Sequence, residues 1–403
     1  MNLRELPAAE TGARSAEGAP LAGVRVLDLT RLLPGPMCAM HLADLGADVI
    51  KIEDTGAGDY AAAPVREQVN RNKRGIRIDL KQPEGVDTLL RLCETADVLV
   101  EGFRPGVMDR LGVGWAAVHA RNPRLVYCSI TGYGQSGPLR DAAGHDMNYA
   151  ALAGVADQMG QPGGAPALSN VPVADLLGGT MPAVMGILAA LFDAVRTGAG
   201  RHVDVSIADG LLAHAVIPNV AVQQQGRTRP VGQDKLTGAL PCYNYYATAD
   251  GRWLAVGALE KKFWDRFCEC IGRADLKPRH PGDTALERQT VREEVAAILR
   301  GRTQAEWVTV FAGEDCCVTP VLRLDEALDQ AHTRSRGMVV EVPAREPGAS
   351  PWRQLATPVR MTGFRFQVRQ PAPVAGEHTD AVLQEAGWTS DELTRLRASG
   401  AIG

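Results

Sequence analysis

The 403-residue sequence lacks a charge bias. Its 43 lysines and arginines stand against 47 aspartates and glutamates, a net charge of −4. This gives no pervasive attraction to nucleic acid or to an anionic membrane surface, so neither is expected as a partner. The eight cysteines include no CxxC pair. Cys268 and Cys270 would point to nearly opposite sides of a helix, and Cys316 and Cys317 are adjacent. Neither spacing is a zinc or disulfide framework, so no metal is expected and a reducing cytoplasm fits. A long uncharged apolar run is also missing. The longest stretch, 181–195, is shorter than the ~20 residues that cross a bilayer and carries Asp193, so it reads as a buried helix. The first twenty residues mix acids with arginines and have no apolar core, which predicts a mobile extension rather than a targeting leader.

What is present is enough for a large core. The chain is 45% hydrophobic, and its length suits two domains at the rough allowance of ~150 residues each. Short apolar segments at 24–29, 48–53, 75–80, 97–100, 125–130 and 201–205 read as strands. Helical patterns over 36–46, 83–96 and 115–121 separate several of them. That alternation predicts parallel pairing in a doubly wound α/β sheet, with ligands at the carboxyl ends of the strands. From residue 225 the texture changes to a Gly, Arg, Thr and Pro-rich stretch. A hairpin over 242–246 and 252–257 follows, with Ala249-Asp250-Gly251 as its turn, and then helices over 285–300 and 303–312. The predicted organisation is an extension over 1–20, a large domain over 21–210 and a linker over 211–240. A smaller α+β domain over 241–323, a linker over 324–338 and a C-terminal return over 339–403 complete it.

Gly132-Tyr133-Gly134-Gln135-Ser136-Gly137 matches the dinucleotide pattern G-x-G-x-x-G and follows a strand. Pro138 comes next and no helix receives a pyrophosphate, so the glycines are read as a loop passing close to a ligand or another backbone. Two basic groups have more content. One runs over 66–77 and includes Lys73 and Arg74; the other, around Arg104, directly follows a strand.

The chemistry is expected at Gly144-His145-Asp146-Met147-Asn148-Tyr149 and at Asp175. An imidazole can exchange a proton near neutrality, and a carboxyl beside an apolar helix is tuned toward the same range by desolvation. Two such groups facing a substrate from opposite sides could remove a proton on one face and return it on the other. Taken singly, His145 is an ordinary helix-start residue, Asp175 an ordinary N-cap and Glu260 a first-turn acid.

Three further stretches carry a resemblance: Leu21 through Thr30 with Pro34-Gly35-Pro36, the run from Leu42 to Glu53, and Glu101-Gly102-Phe103-Arg104-Pro105-Gly106-Val107. With Asn72-Lys73-Arg74-Gly75 and Gly376-Glu377-His378-Thr379, they resemble the class III CoA-transferase (CaiB/BaiF) family. Gly144 to Tyr149 and Val256-Gly257-Ala258-Leu259-Glu260 are similar to its α-methylacyl-CoA racemase branch. The resemblance implies an interlocked homodimer, an acyl-CoA substrate and no cofactor beyond the CoA carried by that substrate. It implies that His145, Asp175 and Glu260 are catalytic, with Glu260 supplied by the partner subunit. It places Lys51, Lys73, Arg74 and Arg104 on the CoA phosphates, and Asp146 and Tyr149 on the CoA or the enolate oxygen. Met147, Met159, Met181 and Met185 would line an adaptable acyl pocket. Two other readings stand beside it: a CoA transferase with Asp175 as covalent nucleophile, and a CoA-binding protein without catalysis.

Overall fold

The structure, a computed structural model, describes residues 18–56, 62–345, 348 and 350–403. Most of the expected N-terminal extension lies outside the described residues. The chain divides into two compact units, one built from residues up to 153, 169–214 and 332–403, the other from 154–168 and 215–331. The stretch 154–168, expected in the large domain, thus groups with the smaller unit, as does 324–331.

The larger unit is organised by six parallel strands: β1 (Arg25–Asp28), β2 (Asp48–Glu53), β3 (Lys73–Arg77), β4 (Val98–Glu101), β5 (Val126–Thr131) and β6 (His202–Ser206). Their order is β3-β2-β1-β4-β5-β6. Val26, Leu27, Ile50, Leu99 and Cys128 are fully buried, as expected of strands covered by helices on both faces. Leu89, Val118, Val382 and Leu393, from four different helices, pack in one cluster with Leu27, Ile50 and Leu99. Each such aliphatic side chain contributes about 1.5–3 kcal/mol by leaving water. The strand order reverses between β1 and β4, so the chain leaves these neighbours in opposite directions and a crevice opens above their carboxyl ends.

β3 begins two residues earlier than the sequence pattern suggested, at Lys73 rather than Gly75. Lys73 therefore belongs to the ladder, paired with Val49 of β2, and its side chain turns into the interior. The helix read over 171–198 is two elements. A π-helical segment, Ala174–Thr180, continues into the α-helix Met181–Thr197. Ala183, Ile187, Ala190 and Ala194 are its buried stripe, one face of a 3.6-residue repeat. The expectation of a buried helix is corrected here. Met181, Met185, Phe192 and Val195 are exposed, Met185 to 69%. Residues 174–197 are long and apolar enough to cross a membrane by length and composition, but the buried stripe commits one face to β5 and β6.

The smaller unit contains a hairpin, β7 (Tyr243–Ala247) and β8 (Trp253–Gly257), with a third strand, β9 (Val318–Pro320), antiparallel to β8. Gly251 takes φ +72° in the turn, a conformation that favours glycine. The helices Lys261–Cys270, Ala285–Leu299 and Gln304–Val310 close a core around Trp264, Phe267, Val295 and Trp307.

Candidate active site

Three loops leave the carboxyl ends of β1, β4 and β5 and meet over the switch point. They line a cleft of about 640 Å³ with Thr30 to Leu32, Gly102 to Pro105 and Ile130 to Tyr133. His145, Asn148, Tyr149 and Asp175 complete its wall.

His145 is the N-cap of the helix Asp146–Leu152 and is exposed. Its N–H donates to Asn148 Oδ1 (3.0 Å), which fixes the helix start. The Tyr149 hydroxyl donates to the Gly144 carbonyl (2.5 Å) and holds the turn just before His145. Burial pushes that hydroxyl up to about 12, so it stays protonated and remains a donor at any working pH. The Tyr149 ring also lies under Gly132. A Cβ there would come within 2.4 Å of Tyr149 Cε1, so the close approach requires glycine. Of the dinucleotide-like glycines, Gly132 is thus the one that lets the β5 loop pass against an aromatic ring.

Asp175, expected as an N-cap, is instead the second residue of the π-helical segment, behind the N-cap Val173; its own N–H donates to Asp146 Oδ1 (2.9 Å), tying the two helix starts together. Burial raises the Asp175 carboxyl to about 6. The Asp146 charge adds to that rise and His145 opposes it. Near neutrality this carboxyl is therefore mostly ionised yet still exchanges its proton readily. The wide π turn is accommodated by small residues: a Cβ on Gly178 would meet the Ile207 carbonyl oxygen at 2.1 Å.

The basic rim is different from the one expected. Lys73 is fully buried, and its Nζ donates to Asp28 Oδ2 (2.8 Å), the Pro36 carbonyl (2.7 Å) and Asn70 Oδ1 (2.8 Å). Lys51 is fully buried too, donating to the Thr30 carbonyl (2.9 Å). Both side chains end in the interior, and neither lines the cleft. Arg74 pairs with Asp48 (2.7 Å) and Glu385 (2.7 Å), outside the cleft lining. Arg104 is on the cleft and exposed.

Two arginines that the sequence reading passed over join it. Arg31 follows β1, pairs with Asp54 (2.8 Å) and lies 5.1 Å from the Phe103 ring centre. Arg140 comes from the loop before His145 and is exposed beside the cleft. The rule that singled out Arg104, a cation just past a strand's carboxyl end, would have found Arg31. Arg140 is nine residues past the end of β5 and has no comparable signal. The loop bearing Arg104 is held from below by Glu101, which is 4% exposed and accepts from the Phe103 N–H (2.8 Å). Burial raises its carboxyl to about 7.

Residues 21–379 match the family model described as CoA-transferase family III. The chain belongs to CoA-transferase family III. It is 36% identical to the human alpha-methylacyl-CoA racemase over 95% of its own length and 97% of the relative's. It is 32% identical to a succinate–glutarate CoA-transferase of Agrobacterium fabrum, over 91% of this chain and 95% of that one. A crystal structure of a CAIB/BAIF family protein from Brucella suis superimposes with a TM-score of 0.79 at 26% identity, covering 91% of this chain and 99% of that chain. Family III members thus include both racemases and transferases at similar identity, and the α/β fold with its large parallel sheet is common ground.

The cleft thus combines the arginines Arg104 and Arg140 with the titratable side chains of His145 and Asp175. Glu260 stands in the smaller unit, where it is the exposed N-cap of the helix Lys261–Cys270. Among the expected lining methionines, Met147, Met181 and Met185 are all exposed.

Proposed function

We propose that the protein is an α-methylacyl-CoA racemase that moves a proton at the α-carbon of a 2-methylacyl-CoA without a metal or redox cofactor. The observation that carries this reading is that His145 and Asp175 line the same cleft, with Asp175 lifted by burial to about 6. A nucleophilic aspartate would need no histidine beside it, whereas proton transfer on two faces needs two groups.

In the reaction, one group takes the α-proton. The C–H electron pair enters the enolate, whose oxygen carries the charge. The other group then returns a proton to the opposite face. The amides that open the helix at Asp146 are the donors for the enolate oxygen. Arg104 and Arg140 would hold the CoA phosphates.

The outward apolar side chains of Met181, Met185, Phe192 and Val195 support a homodimer, since a soluble monomer rarely leaves such a stripe uncovered. In that assembly Glu260 from the second subunit assists His145. Mixing His145→Ala with Glu260→Ala protein tests this: mixed dimers, confirmed by mass, should regain activity that neither variant has alone. No gain would remove Glu260 from the partner's site.

The transferase alternative is tested by hydroxylamine added during turnover with a free carboxylic acid present. Trapping of an Asp175 acyl group, with label passing from the acid into acyl-CoA, would favour the transferase.

A further inference from the structure

The π-helical segment that carries Asp175 is tied at its far end to a loop that the mechanism above does not use. Thr180, the last residue of the segment, is 1% exposed, and its hydroxyl donates to the Pro34 carbonyl (2.8 Å). Pro34 lies in the stretch 30–36, the loop after β1 together with the first turn of the helix Pro34–Asp44, which lines one side of the cleft. That loop is held at three other points, all buried. The Thr30 N–H and hydroxyl both donate to Asp28 Oδ1. Lys51 Nζ donates to the Thr30 carbonyl, and Lys73 Nζ to the Pro36 carbonyl. Lys73 also pairs with Asp28, so one closed cluster grips both ends of the loop.

The loop needs such a grip. Leu32 adopts φ +65°, a left-handed conformation that costs a non-glycine residue of order 1–3 kcal/mol and persists only where the surroundings enforce it. Gly35 allows the tight return: a Cβ there would lie 2.3 Å from Thr30 Cβ. On the other side, Gly179 brings the π segment against the same loop, its added Cβ reaching Pro34 Cβ at 3.2 Å.

We propose that Thr180 is a positioning residue for the reaction: together with the buried Asp28–Lys51–Lys73 cluster it locks the 30–36 loop to the π-helical segment and so fixes Asp175 relative to the substrate cleft. The two lysines that resemble phosphate ligands in sequence are thereby assigned an internal task. The activity part of this proposal rests on the racemase reading, but the mechanical part does not.

The test is amide hydrogen exchange on the intact protein, with activity alongside. Thr180→Val removes the hydroxyl at constant volume; Thr180→Ser keeps it. The valine variant should speed exchange in peptides covering 30–36 and 174–180 together. It should also lower kcat by roughly tenfold with KM for acyl-CoA nearly unchanged, since a misplaced group of this kind costs up to about a hundredfold. The serine variant should restore both. Thr30→Val, which removes the hydroxyl bond to Asp28 and leaves only the backbone one, should loosen the same two segments and serves if Thr180→Val does not fold. Faster exchange in only one of the segments would overturn the proposal. So would faster exchange throughout the chain, or a serine variant that behaves like valine. Wild-type protein that exchanges no α-proton would sink the racemase reading instead, and the amide exchange would still decide the coupling.

Discussion

Replacing Asp146 by Asn asks whether Asp175 is tuned as its surroundings require. The Asp175 carboxyl sits at about 6, raised first by burial and next by the Asp146 charge. Its N–H donates to Asp146 Oδ1, and the amide oxygen of Asn can keep that bond, so the substitution removes charge and little else. Two carboxylates linked through one backbone hydrogen bond lie roughly 5–7 Å apart, and for a half-solvated pair Coulomb's law gives on the order of 1 kcal/mol, or ~0.7 of a pH unit. The sign follows directly: losing a neighbouring negative charge favours the ionised form and lowers the Asp175 value. In the direction where Asp175 is the base, the acid limb of kcat/KM near pH 6 should move down by ~0.5–1 unit. In the direction where it is the acid, the alkaline limb should move down equally. A base weakened by that amount should also lose roughly twofold in plateau rate. The assay is a pair of pH–rate profiles on the two enantiomers, wild type against variant. The phosphates of the substrate titrate alike with both proteins and cancel in the comparison. A limb near 6 in neither direction, or an upward shift in Asp146→Asn, would refute this account of Asp175.

Three further outcomes follow from the cleft and its supports. Arg104→Ala and Arg140→Ala should each raise KM for acyl-CoA by several-fold at low salt, with the penalty shrinking as salt rises because exposed charges are screened; calorimetry with CoA alone checks it. Glu101, raised to about 7 by burial, opposes folding once ionised, so stability that is complete below its ordinary value is lost as pH climbs through 7. Thermal melts should therefore show Glu101→Gln gaining on wild type between pH 5 and 8, by up to about 3 kcal/mol, and no pH-dependent gain would contradict that burial. Gly132→Ala drives a methyl into the Tyr149 ring, so it should cost about 1–3 kcal/mol of stability and lower activity by displacing the turn before His145.

Much of this was legible in the residues because the signals are local. The segment 48–53 carries the β-branched residues Val49, Ile50 and Ile52 between glycine-containing turns, and β2 spans the same residues. His145 stands one residue before a short helix pattern, and its N-cap position follows from that. The failures are equally physical. A lysine in a strand and a lysine on a rim look alike until the register is known. Shifting the start of β3 by two residues put Lys73 inside, against Asp28, a partner 45 residues away in sequence. The bond from Asp175 to Asp146 spans 29 residues and has no local signature. The π-helical turn was hidden because Gly178 and Gly179 read as an interruption, whereas they allow a wide turn to pack against Ile207. Nor could periodicity alone say that half of Met181–Thr197 would face outward.

The most direct measurement is deuterium incorporation at the α-carbon of a 2-methylacyl-CoA in heavy water, from each enantiomer separately and with no free carboxylic acid present. The account predicts label at that carbon from both enantiomers, loss of configuration and no release of CoA. His145→Ala should slow incorporation by roughly 10²–10⁴-fold, the usual contribution of one positioned acid–base group. An α-position that stays unlabelled, while a labelled free acid enters the acyl-CoA pool, would contradict it.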